Sequence, residues 1–104
     1  MKRIALKMKL LKGFENEYKK RHDEIWDQLK VLLRKAGIIN YSIFLDKETN
    51  DLFAYFNIED ETQLNNLPQQ EIMKKWWAYM ADIMETNADN SPVSISLKEV
   101  FYLP

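Results

Sequence analysis

The alternation of apolar and polar positions divides the chain into segments of two kinds. Residues 4–10 alternate with a period of two, residues 38–45 and 52–58 are apolar on both sides, and residues 97–103 end in an apolar run, so each predicts a β-strand. Residues 14–36 and 69–85 instead repeat apolar side chains every three or four positions, which predicts two amphipathic helices. Residues 59–67 predict a short helical turn that Pro68 ends.

The connections between these segments agree with their assignment. Gly37 follows the basic last turn of the first predicted helix, as a left-handed C-terminal cap does. Residues 46–51 are polar and have the length of a hairpin loop. The order strand, helix, strand, strand, helix, strand predicts the ferredoxin-like βαββαβ arrangement, an α+β fold. A chain of 104 residues is long enough for one such domain, and we expect residues 1–104 to form it.

The first predicted helix carries the only histidine of the chain. A helix turns by about 100° per residue, so with Phe14 at zero the side chains of Tyr18, Leu29 and His22 fall at about 40°, 60° and 80°. Tyr18, His22 and Trp26 follow one another at intervals of four and should share one side of the helix. His22 is therefore expected on the apolar side of this helix.

An imidazole on a core-facing side has two interpretations. Buried polar groups usually find a hydrogen-bond partner, so His22 could be a satisfied core residue. It could also line a cavity as an acid–base group, since an imidazole titrates near neutral pH. The neighbouring Tyr18 and Trp26, each apolar with a polar tip, favour the cavity.

The second and third strands raise the question of what covers the sheet. Ile39, Tyr41 and Ile43 are expected on one side of the second strand, and Ile38 and Phe44 on the other. Helices on a single face of a small sheet cannot cover two apolar faces. A second copy of the chain is the simplest cover, which predicts a homodimer; residues 97–103 are the alternative cover.

Composition excludes several classes of function. The chain has no cysteine and one histidine, which leaves no disulfide, no thiolate metal site and no multi-histidine zinc site. The net charge is −1 with both signs interspersed, so nucleic acid is a poor candidate partner. Residues 1–12 are interrupted by basic side chains and resemble neither a signal peptide nor a membrane span. We expect a cytoplasmic protein that binds no membrane.

The remaining polar and aromatic residues suit a small neutral ligand. One imidazole, several phenols and the pair Trp76 and Trp77 can bind a sugar, whose C–H faces pack on aromatic rings while its hydroxyls form hydrogen bonds. Adjacent residues point about 100° apart, so one of the two indoles should pack in the core and the other line an opening. Asn87 and Asp89 lie in a polar loop that either contacts sugar hydroxyls or caps itself.

Four groups of residues resemble, in order and spacing, the L-rhamnose mutarotase family. They are Tyr18 with His22 and Trp26; Asn40-Tyr41 leading to Leu45-Asp46-Lys47; Trp76-Trp77 followed by Tyr79-Met80; and Asp89-Asn90-Ser91-Pro92-Val93 continuing to Glu99-Val100-Phe101-Tyr102-Leu103-Pro104. The resemblance extends over essentially the whole chain. It implies a dimeric α/β barrel of two ferredoxin-like subunits that interconverts the α and β anomers of L-rhamnose without a cofactor or metal.

The resemblance also implies roles for five residues of this chain. His22 matches the proton donor of the family, and four aromatic residues match its substrate-binding positions: Tyr18, Tyr41, Trp76 and Trp77. Two other classes of function stay open on the sequence. One is a small oxygenase or haem-degrading enzyme, since these also use dimeric barrels of ferredoxin-like subunits. The other is a sugar-binding module without chemistry.

Overall fold

A four-stranded antiparallel sheet forms the centre of the computed structural model, which describes residues 1–104. The strands are β1 (Lys2–Lys9), β2 (Ile38–Leu45), β3 (Asp51–Ile58) and β4 (Ser94–Ser96). Their spatial order is β2-β3-β1-β4, and β1 pairs with β3 from Lys2 opposite Ile58 to Lys9 opposite Asp51. This order and the antiparallel pairing confirm the predicted ferredoxin-like α+β fold.

Helices cover one face of the sheet, which we call the covered face; the other is the open face. They are α1 (Glu15–Asp23), α2 (Asp27–Lys35), a 3-10 helix (Glu61–Gln69) and α3 (Glu71–Met80). The prediction that Pro68 ends the short helical turn is wrong, because Pro68 lies inside the 3-10 helix. None of these helices has both the length and the apolar character needed to cross a bilayer.

The prediction of one continuous helix over residues 14–36 is wrong. The backbone of Trp26 is extended, with φ −64° and ψ 137°, and separates α1 from α2. No glycine or proline marks this break, so its origin is tertiary. The Trp26 indole packs edge-on against Trp76 at 5.1 Å between ring centroids and lies 5.5 Å from the Tyr79 ring. The break leaves His22 in the last turn of a short helix.

Burial on the covered face follows the period of β3. Its alternate residues Leu52, Ala54, Phe56 and Ile58 are buried, as the alternation of a half-covered strand requires. The largest cluster of buried residues joins this face to the helices: Met8, Leu10, Tyr18, Leu29, Leu52, Ala54, Met73, Trp76, Met80, Ile83 and Met84. The site described below therefore rests on the main core of the protein.

The end of the second predicted helix and the last predicted strand both differ from expectation. α3 ends at Met80 rather than at residue 85, because the following residues pair with the extension of β1. The Leu11 amide donates to the Ile83 carbonyl at 2.9 Å, and the Glu85 amide donates to the Lys9 carbonyl at 3.1 Å. The last strand occupies Ser94–Ser96 instead of residues 97–103, which have no regular structure.

Strand β2 contains a β-bulge that the sequence pattern did not reveal. Ile39 lies opposite Asn57 and Ser42 opposite Tyr55, so two residues of β2 face one residue of β3. The extra residue is Asn40, whose φ is +54°. The predicted assignment of side chains to the two faces of the sheet is therefore wrong for the residues before the bulge. Ile38 pairs with Ile58 on the covered face and is buried, whereas Ile39 is exposed.

Helix α2 ends as predicted at a left-handed glycine. Gly37 has φ +88°, and its amide donates to the Arg34 carbonyl at 2.9 Å. A Cβ on Gly37 would meet the Ile58 side chain at 3.8 Å, which is ordinary contact, so the backbone conformation rather than space demands glycine here. The glycine turns the chain directly into β2.

Two substitutions on α2 test this account of the core. Leu29 is 1% exposed and Val31 is 51% exposed. We expect Leu29→Ala to lower the free energy of unfolding by about 2 to 5 kcal/mol, because it opens a cavity in the core. Val31→Ala should change it by less than about 0.5 kcal/mol. Urea denaturation measures both, and equal losses in the two variants would contradict the assignment of the buried face.

Candidate active site

A cavity of about 770 Å³ lies between α1, α2 and the covered face, at the β2 edge of the sheet. Twelve of its 20 lining residues are hydrophobic, a composition typical of small-molecule sites. Four of the five residues predicted for the site line this cavity: Tyr18, His22, Tyr41 and Trp76. The structure therefore agrees with a cavity-lining histidine rather than with one sealed in the core.

The orientation of the His22 ring is set by its own helix. Nδ1 lies 3.0 Å from the carbonyl oxygen of Tyr18, one turn earlier in α1. A carbonyl oxygen can only accept, so Nδ1 carries the hydrogen and donates it. In the neutral imidazole Nε2 then holds the lone pair. Nε2 has no protein partner, so this nitrogen is the one available to a ligand.

Aromatic rings surround the imidazole and fix its charge state. The Tyr18 ring stacks on it at 4.3 Å between centroids, and the Trp76 ring meets it edge-on at 5.4 Å. Burial among these rings lowers the pKa of His22 below its ordinary value of 6.5, against the opposing effects of the Tyr18 carbonyl and the Asp23 carboxylate. His22 is therefore mostly neutral at pH 7, with a basic Nε2.

Two phenols accompany the imidazole in the cavity. Burial raises the pKa of Tyr18, and the neighbouring Tyr41 raises it further. Burial also raises the pKa of Tyr41, which lines the cavity, although 43% of the residue is exposed. That combination is expected of a side chain that lines an open cavity. Both phenols stay neutral over the physiological range and can donate and accept hydrogen bonds.

The two adjacent tryptophans have different surroundings. Trp76 lines the cavity, is 6% exposed and contacts the rings of His22, Trp26 and Tyr79. Trp77 is half-buried, packs against the core cluster and does not line the cavity. The expected division, with one indole in the core and the other at an opening, differs from the structure, because Trp76 alone both packs in the core and lines the cavity.

Arg21 joins the helix of His22 to the end of α3. Its guanidinium donates to the carboxylates of Glu17 and Asp82 and to the Tyr79 carbonyl, at 2.7 to 2.8 Å, and lies over the Tyr79 ring at 4.5 Å. Tyr79 in turn packs on Trp76. Sequence reasoning missed this residue, because its partners Tyr79 and Asp82 are about 60 positions away and nothing in the local pattern indicates them.

The polar loop after α3 caps itself. The Asn87 side chain donates to the Ser91 hydroxyl at 3.0 Å, and the Asp89 carboxylate accepts from the Ser91 amide at 3.0 Å. Neither Asn87 nor Asp89 lines the cavity. The charged residues that do reach the lining are mostly basic: Glu15, Lys19, Asp23, Lys30, Arg34 and Lys47. No group of three or more acidic or histidine side chains is arranged to hold a metal ion.

Comparison with known proteins identifies the family of this chain. A family model described as L-rhamnose mutarotase matches residues 3–103. The chain belongs to the L-rhamnose mutarotase family. The match includes the cavity, the bulge and every residue discussed above except those at the two ends of the chain.

Relatives in this family are similar over their whole length. An L-rhamnose mutarotase from Bacteroides thetaiotaomicron is 58% identical, and one from Lachnoclostridium phytofermentans is 55% identical, with 99% of each chain covered in both cases. The crystal structure of an L-rhamnose mutarotase from Formosa agariphila has a TM-score of 0.94 at 53% identity and covers 100% of both chains. The family assignment therefore rests on sequence and structure together.

A more distant structure shares the fold alone. A protein from Mycobacterium tuberculosis superposes with a TM-score of 0.56 at 7% identity, with 98% of this chain and 97% of that chain covered. The ferredoxin-like arrangement is thus found in chains with little sequence in common with this mutarotase family member.

Titration of the single histidine tests the geometry of the site. We expect a His22 pKa below 6.5 and a neutral form protonated at Nδ1, both measured from the ¹⁵N chemical shifts of the ring. Asp23→Asn should lower the pKa further, because the Asp23 carboxylate favours the charged imidazole. Asp27→Asn, an exposed change on α2, is the matched control and should leave it unchanged. A pKa at or above 6.5, or protonation at Nε2, would contradict the arrangement described here.

Proposed function

We propose that this chain interconverts the α and β anomers of L-rhamnose, with His22 as the group that moves the proton. The observation that carries the proposal is the position of the only imidazole, in a cavity of phenols and indoles with Nε2 free of protein partners. The names of relatives more than 50% identical over the full chain give the sugar. Since the lining draws on residues from Leu10 to Trp76, we also infer that residues 1–104 act as one domain.

The proposed chemistry is ring opening and reclosure. The anomeric hydroxyl must lose a proton and the ring oxygen must gain one before the C1–O bond breaks and an aldehyde forms. Rotation about C1–C2 then presents the other face of the carbonyl, and the reverse transfers close the ring. Neutral His22 takes the first proton at Nε2 and returns it to the ring oxygen, which is attached to the same carbon. A bound water or one of the phenols can complete the relay.

The other predicted residues bind and orient the sugar in this proposal. Tyr18 and Tyr41 are neutral phenols that hydrogen-bond to sugar hydroxyls. The Trp76 indole packs on a C–H face of the ring, and the apolar lining accommodates the methyl group of a 6-deoxy sugar. Trp77 matches a substrate-binding position of the family; we assign direct contact to Trp76 and the packing beside it to Trp77.

The proposed reaction needs no cofactor, since it changes no oxidation state and breaks no C–H bond. The alternatives of a haem-linked or cofactor-free oxygenase and of a non-catalytic sugar-binding module are not favoured, because the family match covers residues 3–103. Action on a free monosaccharide and the lack of cysteine agree with a cytoplasmic location, which we infer.

We further propose that the enzyme is a homodimer joined through the open face. Apolar side chains on this face and on residues 97–104 are largely exposed: Ile39, Phe44, Ile95, Val100, Phe101 and Leu103. Arg3 nevertheless holds this segment in one position, with two hydrogen bonds of 2.6 and 2.8 Å to the Glu99 carboxylate and a Tyr102 ring 3.6 Å from its guanidinium carbon. An ordered apolar surface of this kind favours a second copy as its cover.

Saturation-transfer NMR on L-rhamnose tests the proposed activity. We expect the protein to increase the rate of exchange between the anomeric protons. The His22→Ala variant should reduce this catalysed rate at least about 100-fold, since general acid–base catalysis contributes a rate factor of 10² to 10⁴. The rate should stay level near pH 7 and fall only below 6.5, because the working imidazole is neutral and its pKa is lowered.

Lys20→Ala is the matched control for this experiment. Lys20 is exposed on the same helix and does not line the cavity, so its loss should leave the exchange rate unchanged. Binding of the sugar without faster exchange by the wild-type protein would favour the binding module. Activity of His22→Ala equal to wild type would remove the proposed role of the imidazole.

Size-exclusion chromatography with light scattering tests the dimer. The mass of the wild-type protein should be twice 12.5 kDa, and Phe44→Glu or Phe101→Glu should shift it towards the monomer. Val31→Glu places the same charge on an exposed residue of α2, away from the open face, and should leave the dimer intact. A monomeric wild-type protein at tens of micromolar concentration, or dimers in both open-face variants, would exclude this interface.

A further inference from the structure

We infer that Asn40 is a positioning residue for the site, because its left-handed backbone forms the bulge that turns the Tyr41 phenol into the cavity. Asn40 itself does not line the cavity. The inference rests on the proposed function for its kinetic test, and it has a structural test that does not.

The side chains of β2 alternate between the two faces of the sheet, and this alternation has opposite phase before and after the bulge. Ile38 lies on the covered face opposite Ile58, and an unbroken strand counted from it would direct Tyr41 to the open face. In the structure Tyr41 instead packs on Phe56 of the covered face, at 5.3 Å between ring centroids, and lines the cavity. The one-residue bulge at Asn40 supplies the change of face.

Asparagine suits this position for two reasons. Its φ of +54° lies in the left-handed region, which asparagine tolerates better than most residues and β-branched residues resist. Its side-chain amide also donates to the Asn57 side-chain oxygen at 3.0 Å, and the Asn57 amide donates to the Tyr55 hydroxyl at 3.0 Å. These two hydrogen bonds lie on the open face of the sheet and stabilise the bulge.

Burial indicates which half of β2 would exchange its two faces if the bulge did not form. Ile38 is 5% exposed and packs with Phe56 and Ile58, so its half of β2 is held in a buried hydrophobic cluster. Ile43 and Leu45 are only half-buried, since they line the cavity. A variant that cannot adopt the left-handed conformation should therefore keep Ile38 in place and turn Tyr41 away from the cavity.

Asn40→Val and Asn40→Gly separate the backbone from the side chain. Valine resists the left-handed region, whereas glycine adopts it readily and lacks the amide. We expect Asn40→Val to raise the KM for L-rhamnose about fivefold to tenfold, the change that corresponds to one lost hydrogen bond, with kcat within about twofold. Asn40→Gly should keep KM within about twofold of wild type. Asn90→Val, at another left-handed asparagine that lies outside the site, is the control.

A double variant shows whether the effect passes through Tyr41. In a Tyr41→Phe background, Asn40→Val should raise KM by less than it does in the wild type, because the hydroxyl that the bulge positions is already gone. Additive increases would overturn the inference. So would a KM for Asn40→Gly as high as that for Asn40→Val, since the side-chain amide or the open face, rather than the backbone, would then be responsible.

A nuclear Overhauser effect between the Tyr41 and Phe56 rings reports the position of the Tyr41 side chain without any assay of activity. It should be present in the wild type and in Asn40→Gly and be lost in Asn40→Val, while the contact of Ile38 with Ile58 persists. Retention of the Tyr41 contact in Asn40→Val would overturn the inference even if KM rises. If Asn40→Val does not fold, Asn40→Ala gives the same comparison with a milder conformational penalty.

Wild-type protein that does not catalyse anomer exchange would refute the proposed function and leave this structural test in force.

Discussion

The hydrogen bond from His22 Nδ1 to the Tyr18 carbonyl is the constraint on which the site depends. It uses a backbone oxygen of the same helix, so it fixes the ring without a second side chain. It also determines which nitrogen is left for a ligand. Burial keeps that nitrogen unprotonated at neutral pH, although the hydrogen bond itself favours the charged imidazole. A carboxylate in the place of that carbonyl would favour the charged imidazole more strongly and would make Nε2 a donor instead of a base.

The rest of the fold brings aromatic walls to this imidazole. α1 contributes the stacked Tyr18, α3 the edge of Trp76, and the bulge in β2 the phenol of Tyr41. Arg21 connects two of these elements through the end of α3, and its contacts also fix Tyr79 beside Trp76. The site therefore draws on several separate elements held by one core, and no single sequence motif contains it.

Periodicity predicted the elements and most of their faces, because burial on one side imposes a period of two on strands and 3.6 on helices. It could not predict the break at Trp26 or the early end of α3, because tertiary packing and pairing decide both. The bulge at Asn40 changes the phase of one strand, and a single asparagine is too weak a signal to reveal that. The uniqueness of His22 and its helical position indicate it, whereas Arg21 cannot be found in this way because its partners Tyr79 and Asp82 are distant in sequence.

The extended backbone at Trp26 has a mechanical consequence. The nine residues of α1 are joined to α2 by a short link rather than by a continuous hydrogen-bonded cylinder. A small tilt of α1 therefore need not displace α2 or the strand that follows it. The position of the imidazole over the cavity can therefore adjust with α1 while the packing of α2 on the sheet stays unchanged.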